Sequence, residues 1–244
     1  MMQKTEFALK FEEIGKNNSG FPVIIVAAGS SSRMQGTDKQ FSLLGGIPVL
    51  ARTLLAFENS AVISEITVVT RSEKIADIKK LGERYSVSKL KNVIEGGSTR
   101  AASVRCGIAI YKDKTEKILV HDGARPLVSD EVIHRVVDGL KHFDSVTCGV
   151  RPKDTVKEIN DQNVSVNTLD RAHLMAVQTP QGVNVDVFLD VTENADMSKF
   201  TDDTSVMEFA GKKTLIVEGD YKNIKITTPE DLDIAEVLAV QKEW

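Results

Sequence analysis

From Phe21 onward, short runs of apolar, mostly β-branched residues alternate with segments whose apolar positions recur at helical spacing. VIIVAA, EITVVT, KNVIEGG, KILVHDG and SVTCGV read as strands; PVLARTLLAFENS, EKIADIKKLGERY, TRAASVRCGIAIYK and SDEVIHRVVDGLKHF, set between them, read as helices. The strands are apolar throughout rather than alternating, which is what burial on both faces requires. The pattern therefore predicts βαβ units: an α/β fold with a Rossmann-like, doubly wound, mostly parallel sheet. Before Phe21 stands the polar breaker run Lys16-Asn17-Asn18-Ser19-Gly20, so residues 1–20 are set apart as a tail and residues 21–244 as one domain.

The rhythm breaks after Val150. DTVKEINDQNVSVNTL reads as two short polar strands around an Asn-Asp-Gln-Asn turn, with too few large apolar residues to cover a core. An isolated two-stranded hairpin is marginal in water. This protruding arm, about residues 151–171, is thus expected to lean on another surface, for which a partner subunit is one candidate. The α/β character returns with AVQTPQ, a helical TDDTSVMEFAG, the strands KTLIVEG and NIKITT, and a last helix opened by Pro229 and Glu230.

With 244 residues, 41% of them hydrophobic and 27% charged, the chain can build a real core, which excludes disordered, collagen-like and disulfide-stapled classes. A net charge of −4 argues against a nucleic-acid binder that works by neutralising phosphates. No run approaches the roughly 18 apolar residues of a spanning helix. The opening MMQKTEFALKFEEIGK has acids where a signal peptide needs an apolar core, so a cytoplasmic location without membrane contact is expected. Cys106 and Cys148 lack CxxC spacing and are read as small buried hydrophobes.

In open parallel sheets, ligands bind beyond the carboxyl ends of the strands. After VIIVAA comes Gly29-Ser30-Ser31-Ser32-Arg33-Met34, a small-residue loop whose backbone N–H groups can cradle phosphate oxygens. It is neither GxGxxG nor GxxxxGK[ST]. Arg33 and Lys39 put two cations beside any anion held there; the competing reading is a Ser-rich turn with solvated charges. In His121-Asp122-Gly123-Ala124-Arg125-Pro126, Asp122 is a carboxylate at a strand end, suited to Mg²⁺ with phosphates and otherwise a turn cap. His121 has no second histidine at ligand spacing and is read as a satisfied core residue. Gly96-Gly97-Ser98-Thr99-Arg100 is a tight strand-to-helix turn, able to bring backbone against a flat base or serving only as a turn and N-cap. Asn223-Ile224-Lys225-Ile226 puts a cation on a strand whose apolar neighbours face the other way. With no GxSxG elbow, reactive-cysteine context or HExxH, hydrolytic nucleophile chemistry has no seat. The set suits phosphate positioning and charge neutralisation.

Taken in order over about residues 21–239, these blocks resemble the 2-C-methyl-D-erythritol 4-phosphate cytidylyltransferase family. Its glycine loop AAGxGxRM is matched by Ala27, Ala28, Gly29, Arg33 and Met34, with Ser31 at the usual second glycine. Its PKQF block stands here as Asp38-Lys39-Gln40-Phe41, without the rigid proline. GGxxRxxSV is matched by Gly96, Gly97, Arg100, Ser103 and Val104. HD(A/G)ARP, TPQ, TDD and NIKITTPEDL are matched by His121 to Pro126, Thr179 to Gln181, Thr201 to Asp203 and Asn223 to Leu232, and the DTxK stretch with the valine ahead of it falls at Val150 to Lys157.

The resemblance implies transfer of the cytidylyl group of CTP to 2-C-methyl-D-erythritol 4-phosphate with release of pyrophosphate, using Mg²⁺, in a homodimer. It implies that Arg33 and Lys39 neutralise charge on the α-phosphate and that Lys225 and Arg171 grip the incoming phosphate. Around the nucleotide it puts Ala27, Ala28, Gly29, Ser30, Ser31 and Gly123, with Gly97, Ser98 and Ser103 reading cytosine. Asp122, Thr155 and Thr201 would help hold the methylerythritol phosphate, and Asp122 the metal. The arm would carry Thr155 and Arg171 to the neighbouring subunit's pocket. A ribitol 5-phosphate cytidylyltransferase resembles the chain in its glycine loop, HDxxRP and NIKITT, but Thr201 to Glu208 and Arg171 to Leu174 look more like the methylerythritol enzyme. A non-catalytic nucleotide-sensing module would bind CTP without needing this many cations.

Overall fold

The first strand, β1 (Phe21–Val26), has no solvent face beyond its first residue. Val23 and Ile25 enter one apolar core while Ile24 and Val26 enter another, so the unbroken apolar run follows from helices covering both sides. The computed structural model describes residues 20–29 and 39–240. The expected tail, apart from Gly20, and Ser30, Ser31 and Arg33 of the glycine loop lie outside the described residues.

After β1 come a small hairpin of β2 (Leu43–Leu44) and β3 (Ile47–Pro48), then α1 (Val49–Glu58), β4 (Ile63–Thr70), α2 (Ile75–Arg84), β5 (Leu90–Glu95) and α3 (Arg100–Ala109). The chain continues through β6 (Lys117–Asp122), α4 (Asp130–Leu140), β7 (Ser145–Val150), and an arm of β8 (Lys157–Ile159) and β9 (Ser165–Thr168). It closes with β10 (Ala176–Asn184), α5 (Val185–Asn194), α6 (Asp203–Phe209), β11 (Thr214–Glu218) and α7 (Pro229–Val240). The 7-stranded sheet has the order β11-β7-β10-β6-β1-β4-β5. Every pairing is parallel except the two made by β10. This is the mostly parallel α/β sheet expected, with a separate antiparallel arm.

Each face has a core of its own. On one side Leu50, Leu54 and Phe57 of α1 and Val132, Val136 and Leu140 of α4 pack on the sheet; on the other, Val104 and Ile108 of α3, Phe188 of α5 and Met207 of α6 do so. Helix α4 shows why the sequence folds locally as it does. Ser129 accepts the Val132 N–H as N-cap, Asp130 and Glu131 sit in the first turn where the helix dipole favours anions, and Val132, Ile133, Val136, Val137 and Leu140 form one buried stripe. A third, smaller core joins Leu44, Val49, Leu127, Ile226, Ala235 and Ala239 beneath the carboxyl-end turns.

Four features depart from the sequence reading. Residues 223–228, read as a strand, join no sheet. Instead they are tied to the turn after β6: Ile226 N donates to Ala124 O (2.8 Å) and Arg125 Nη1 to Asn223 O (2.7 Å). The in-out alternation survives without a ladder, with Ile226 fully buried and Lys225 reaching Asp122. Cys148 is buried, but Cys106 is exposed on α3, correcting its assignment to the core. Helix α5 and the β2–β3 hairpin were not anticipated. Among the described residues no helix is long and apolar enough to cross a membrane.

Every residue of β8 and β9 is exposed. Asn160 accepts the N–H groups of Gln162 and Val164 to close the turn, and Ile159, Val164 and Val166 remain more than half exposed. At the base of the arm the guanidinium of Arg151 donates to Ala172 O and that of Arg171 to Lys153 O, so the two strands leave the sheet cross-braced.

Candidate active site

Two hollows of similar size open at the carboxyl end of the sheet. The first, of about 450 Å³, is lined by Ala28 and Gly29 after β1, Lys39, and the turn Gly97-Ser98 with Ser103. The second, of about 460 Å³, is lined by Gln181 of β10 and by Thr201, Asp202 and Thr204 at the start of α6. Arg100, Asp122 and Lys225 line both.

The turn into α3 is built for close packing. A Cβ at Gly97 would stand 2.5 Å from the Cβ of Ala102, so a larger residue would push the turn off the helix. Thr99 caps α3 by accepting the Ala102 N–H (3.1 Å). Buried Ser103 shares its one hydroxyl proton between Thr99 O (2.9 Å) and Gly97 O (3.2 Å), leaving it lone pairs for a ligand donor.

Asp122, the last residue of β6, is the charge hub. Its carboxylate meets Lys225 Nζ at 2.9 Å, Arg100 Nε at 3.3 Å and Arg125 Nε at 3.4 Å. Burial pushes its pKa up, but Arg100, Lys225 and Arg125 outweigh that and hold it well below the usual carboxylate range. Arg100 also forks onto Asp203, Nη1 to Oδ1 at 2.9 Å and Nη2 to Oδ2 at 2.8 Å. Burial works against the Arg100 cation, yet the two carboxylates raise its pKa above the ordinary value. Asp203 is itself set by Gln181, whose Oε1 accepts its N–H (2.9 Å), while Asp202 caps α6 through Ser205 N (2.9 Å). The three residues of TDD thus do three things: Thr201 lines the second hollow, Asp202 caps a helix, and Asp203 anchors Arg100.

We propose from this geometry that Asp122 anchors cations of the chain rather than binding a metal. Three cations surround its carboxylate, and a dication added there would meet their combined repulsion. Among the described residues no group of three His, Cys, Asp or Glu side chains could hold a metal ion. Asp122→Asn is therefore expected to lower kcat about 10-fold or more, by releasing Lys225, Arg125 and Arg100 from one anchor, and to cost on the order of 3 kcal/mol of stability. The Mg²⁺ concentration for half activity should stay unchanged in a titration; a strong rise would restore the metal-ligand role.

His121 is the satisfied core histidine expected, fully buried with its ring 4.8 Å from that of Phe57. Arg125 O can only accept, so the neutral ring donates its Nε2 proton there (3.2 Å) and Nδ1 accepts from Thr179 Oγ1 (3.0 Å), whose oxygen accepts the Asp122 N–H (3.1 Å). Burial lowers the His121 pKa to about 3. The unfolded chain, with a histidine pKa near about 6.5, binds a proton that the folded chain refuses, so stability falls as pH drops below that value, by up to ~1.4 kcal/mol per pH unit. Urea midpoints read from about pH 7.5 to pH 5 should show this loss, and His121→Gln should flatten it. Asp122, held low, adds a separate loss only below its unfolded pKa of about 3.9.

Of the residues singled out from sequence, Ala28, Gly29, Lys39, Gly97, Ser98, Ser103, Asp122, Thr201 and Lys225 line the two hollows. Ala27 is buried, its N–H donating to Val69 O (2.8 Å), and Gly123 braces the turn through Val26 O (2.9 Å). Thr155 and Arg171 do not join them in this chain: both are exposed at the base of the arm. Arg33, Ser30 and Ser31 lie outside the described residues. Sequence reasoning grouped Arg100 with the base-reading turn, whereas its guanidinium faces Asp203 and Asp122. The roles of Arg125, Gln181 and Asp203 were missed, although each stands inside a recognised block; Arg71, which lines the first hollow, had no signal.

The sequence profile described as 2-C-methyl-D-erythritol 4-phosphate cytidylyltransferase matches residues 21–241. The protein of that name from Bacillus mycoides is 41% identical over 227 residues, covering 91% of this chain and all of its own length. The one from Clostridium acetobutylicum is 40% identical over 219 residues, 88% of this chain and 95% of its own. Among solved structures, the 4-diphosphocytidyl-2C-methyl-D-erythritol synthase of Anaerococcus prevotii superposes with a TM-score of 0.81 at 32% identity, covering 92% of this chain and 97% of that one. The cytidylyltransferase of Thermus thermophilus does so with 0.71 at 28% identity, covering 91% and 99%. A match of this extent, over the same blocks that build the two hollows, means that the chain belongs to the 2-C-methyl-D-erythritol 4-phosphate cytidylyltransferase family.

Proposed function

We propose that this protein transfers the cytidylyl group of CTP to 2-C-methyl-D-erythritol 4-phosphate, releasing pyrophosphate and forming the cytidine diphosphate ester. The observation that carries the reading is the pair of hollows meeting at Lys225: one lined by Ala28, Gly29, Lys39 and a tight turn, the other by polar groups, with the cations Lys225 and Arg100 common to both and Arg100 already forked onto Asp203. Two anionic substrates need such a shared cation between them.

An oxygen of the substrate phosphate attacks the α-phosphorus in line. A P–O bond forms there as the bond to the β-phosphate oxygen breaks, and the electron pair leaves on pyrophosphate. A phosphate monoester has a second pKa near about 6, so the attacking oxygen is already anionic at neutral pH and no general base is required. The chain's own residues position and neutralise. Gly97, Ser98 and Ser103 face the base, with Ser103 as an acceptor suited to the cytosine amine. Ala27, Ala28, Gly29, Ser30, Ser31 and Gly123 shape the phosphate side, and Arg33 and Lys39 offset the growing α-phosphate charge. Lys225, aimed by Asp122, holds the attacking phosphate beside Thr201. Mg²⁺ enters on this reading with the triphosphate of CTP, as part of the substrate.

The working unit is a homodimer in which the arm reaches the partner's second hollow with Thr155 and Arg171. The exposed apolar residues of the arm favour a covered state, and the exposure of Thr155 and Arg171 leaves them available to a neighbouring pocket. CTP labelled at its α-phosphorus tests the reading: label should pass to an organic diphosphate only when methylerythritol phosphate is present, and ATP or GTP should not replace CTP. Label passing to water, or equal use of purine nucleotides, would contradict it.

A further inference from the structure

Lys39 stands just ahead of a hairpin too small to hold itself in place. Strands β2 and β3 have two residues each, paired Leu43↔Pro48 and Leu44↔Ile47, and join through Gly45 and Gly46 at φ +56° and +76°, a turn open to glycine and strained for other residues. What fixes it comes from outside. Buried Arg52 of α1 donates to Leu44 O and to Gly45 O, and Glu236 of α7 accepts the Gly45 N–H at 2.8 Å while attracting Arg52. Leu44 is sealed against Ala235 and Ala239 of the same helix. The upstream end is tied to α1 as well, Leu50 N donating to Gln40 O at 3.0 Å. Ile226, next to Lys225, packs in that same small core. One helix therefore registers the segments that carry the two cations on opposite sides of the reaction.

We propose that Glu236 is a positioning residue for Lys39. It lines neither hollow and touches no substrate; it sets where the hairpin turn sits and, through the short segment between them, where the Lys39 ammonium reaches. The inference rests on the reading of Lys39 given above. A misplacement of about 1 Å can cost as much as 10²-fold in rate, whereas one partly exposed hydrogen bond contributes only about 1 kcal/mol to stability, so catalysis should suffer more than folding.

Glu236→Ala should lower kcat about 10-fold, with the KM for CTP within about threefold and the protein still folded by circular dichroism. Glu236→Gln keeps an acceptor oxygen for Gly45 and should recover most of kcat. In a Lys39→Ala background, Glu236→Ala should cost less than about twofold more, because the group it positions is gone. Three results would overturn the proposal: wild-type kcat in Glu236→Ala, equal loss in the Gln and Ala variants, or a full additional loss on top of Lys39→Ala. If Lys39→Ala leaves kcat intact, the reading of Lys39 fails and the proposal with it. If Lys39→Ala is impaired while Glu236→Ala is not, only the positioning role is lost.

Discussion

Lys39→Ala is expected to lower kcat by about 10² or more while the KM for CTP changes far less, the signature of a group that acts on the transition state. The expected effect is electrostatic. CTP arrives with its charge spread over three phosphates, and the reaction brings a second anion against the α-phosphorus, so charge around that atom is greatest midway. A fixed ammonium in a hollow shared with Ala28, Gly29 and the Gly97 turn meets that charge without waiting for solvent to reorganise. Uniform binding of CTP would give the opposite pattern, a raised KM with kcat preserved, and steady-state kinetics on the purified variant separates the two. The family's proline before this lysine is Asp38 here. On the proposal above, the hairpin that follows, clamped by Arg52 and Glu236, supplies the missing rigidity.

Mixing two inactive variants is expected to restore activity. Lys39 lines the first hollow of its own chain, while Arg171, exposed at the arm base, serves on this reading the second hollow of the partner. In a heterodimer of Lys39→Ala and Arg171→Ala subunits, one composite site collects both lesions and the other collects neither. Statistical mixing makes half the dimers hybrid, each with one intact site of two, so recovery should approach about a quarter of wild type, a value set by two-fold symmetry alone. Subunit exchange is followed by native mass spectrometry. A mixture that exchanges subunits and stays inactive would put Lys39 and Arg171 to work in the same chain's pocket.

Much of the fold was legible because its strands are buried on both faces. VIIVAA has no polar position and SVTCGV only the small Ser145 and Thr147, both buried, and the helices between them show clean stripes, as in α4. Helix α5 was open to the same reasoning: Asn184 caps it through Val187 N, and Val185, Phe188, Leu189 and Thr192 recur at helical spacing. Its first residues, Val185 and Val187, continue the β-branched character of the strand before it, which hides the change of period. The 223–228 segment misled for the converse reason. Alternation reports which side chains are buried, and an extended segment fastened to a turn alternates like a strand without pairing. Cys106 shows the limit of composition, since cysteine is often buried but α3 turns this one outward.

The site was legible at the level of residues and not of partners. Lys39, Asp122 and Lys225 could be named from loops and strand ends, but charge pairing depends on contacts distant in sequence. Arg100 and Asp203 are 103 residues apart and form a forked pair. Asp122, read alone, is a carboxylate seeking a cation; the fold supplies three. Thr155 and Arg171 stand exposed and apart from the hollows of their own chain, as the proposed composite site would require.

The most direct test of the account offers CTP with 2-C-methyl-D-erythritol 4-phosphate and ribitol 5-phosphate together, at equal concentration, and identifies the product by mass spectrometry as pyrophosphate is released. The account predicts the cytidine diphosphate ester of methylerythritol, with pyrophosphate appearing in equal amount and no ribitol product above background. A predominantly ribitol product, or pyrophosphate released without either ester, would contradict it.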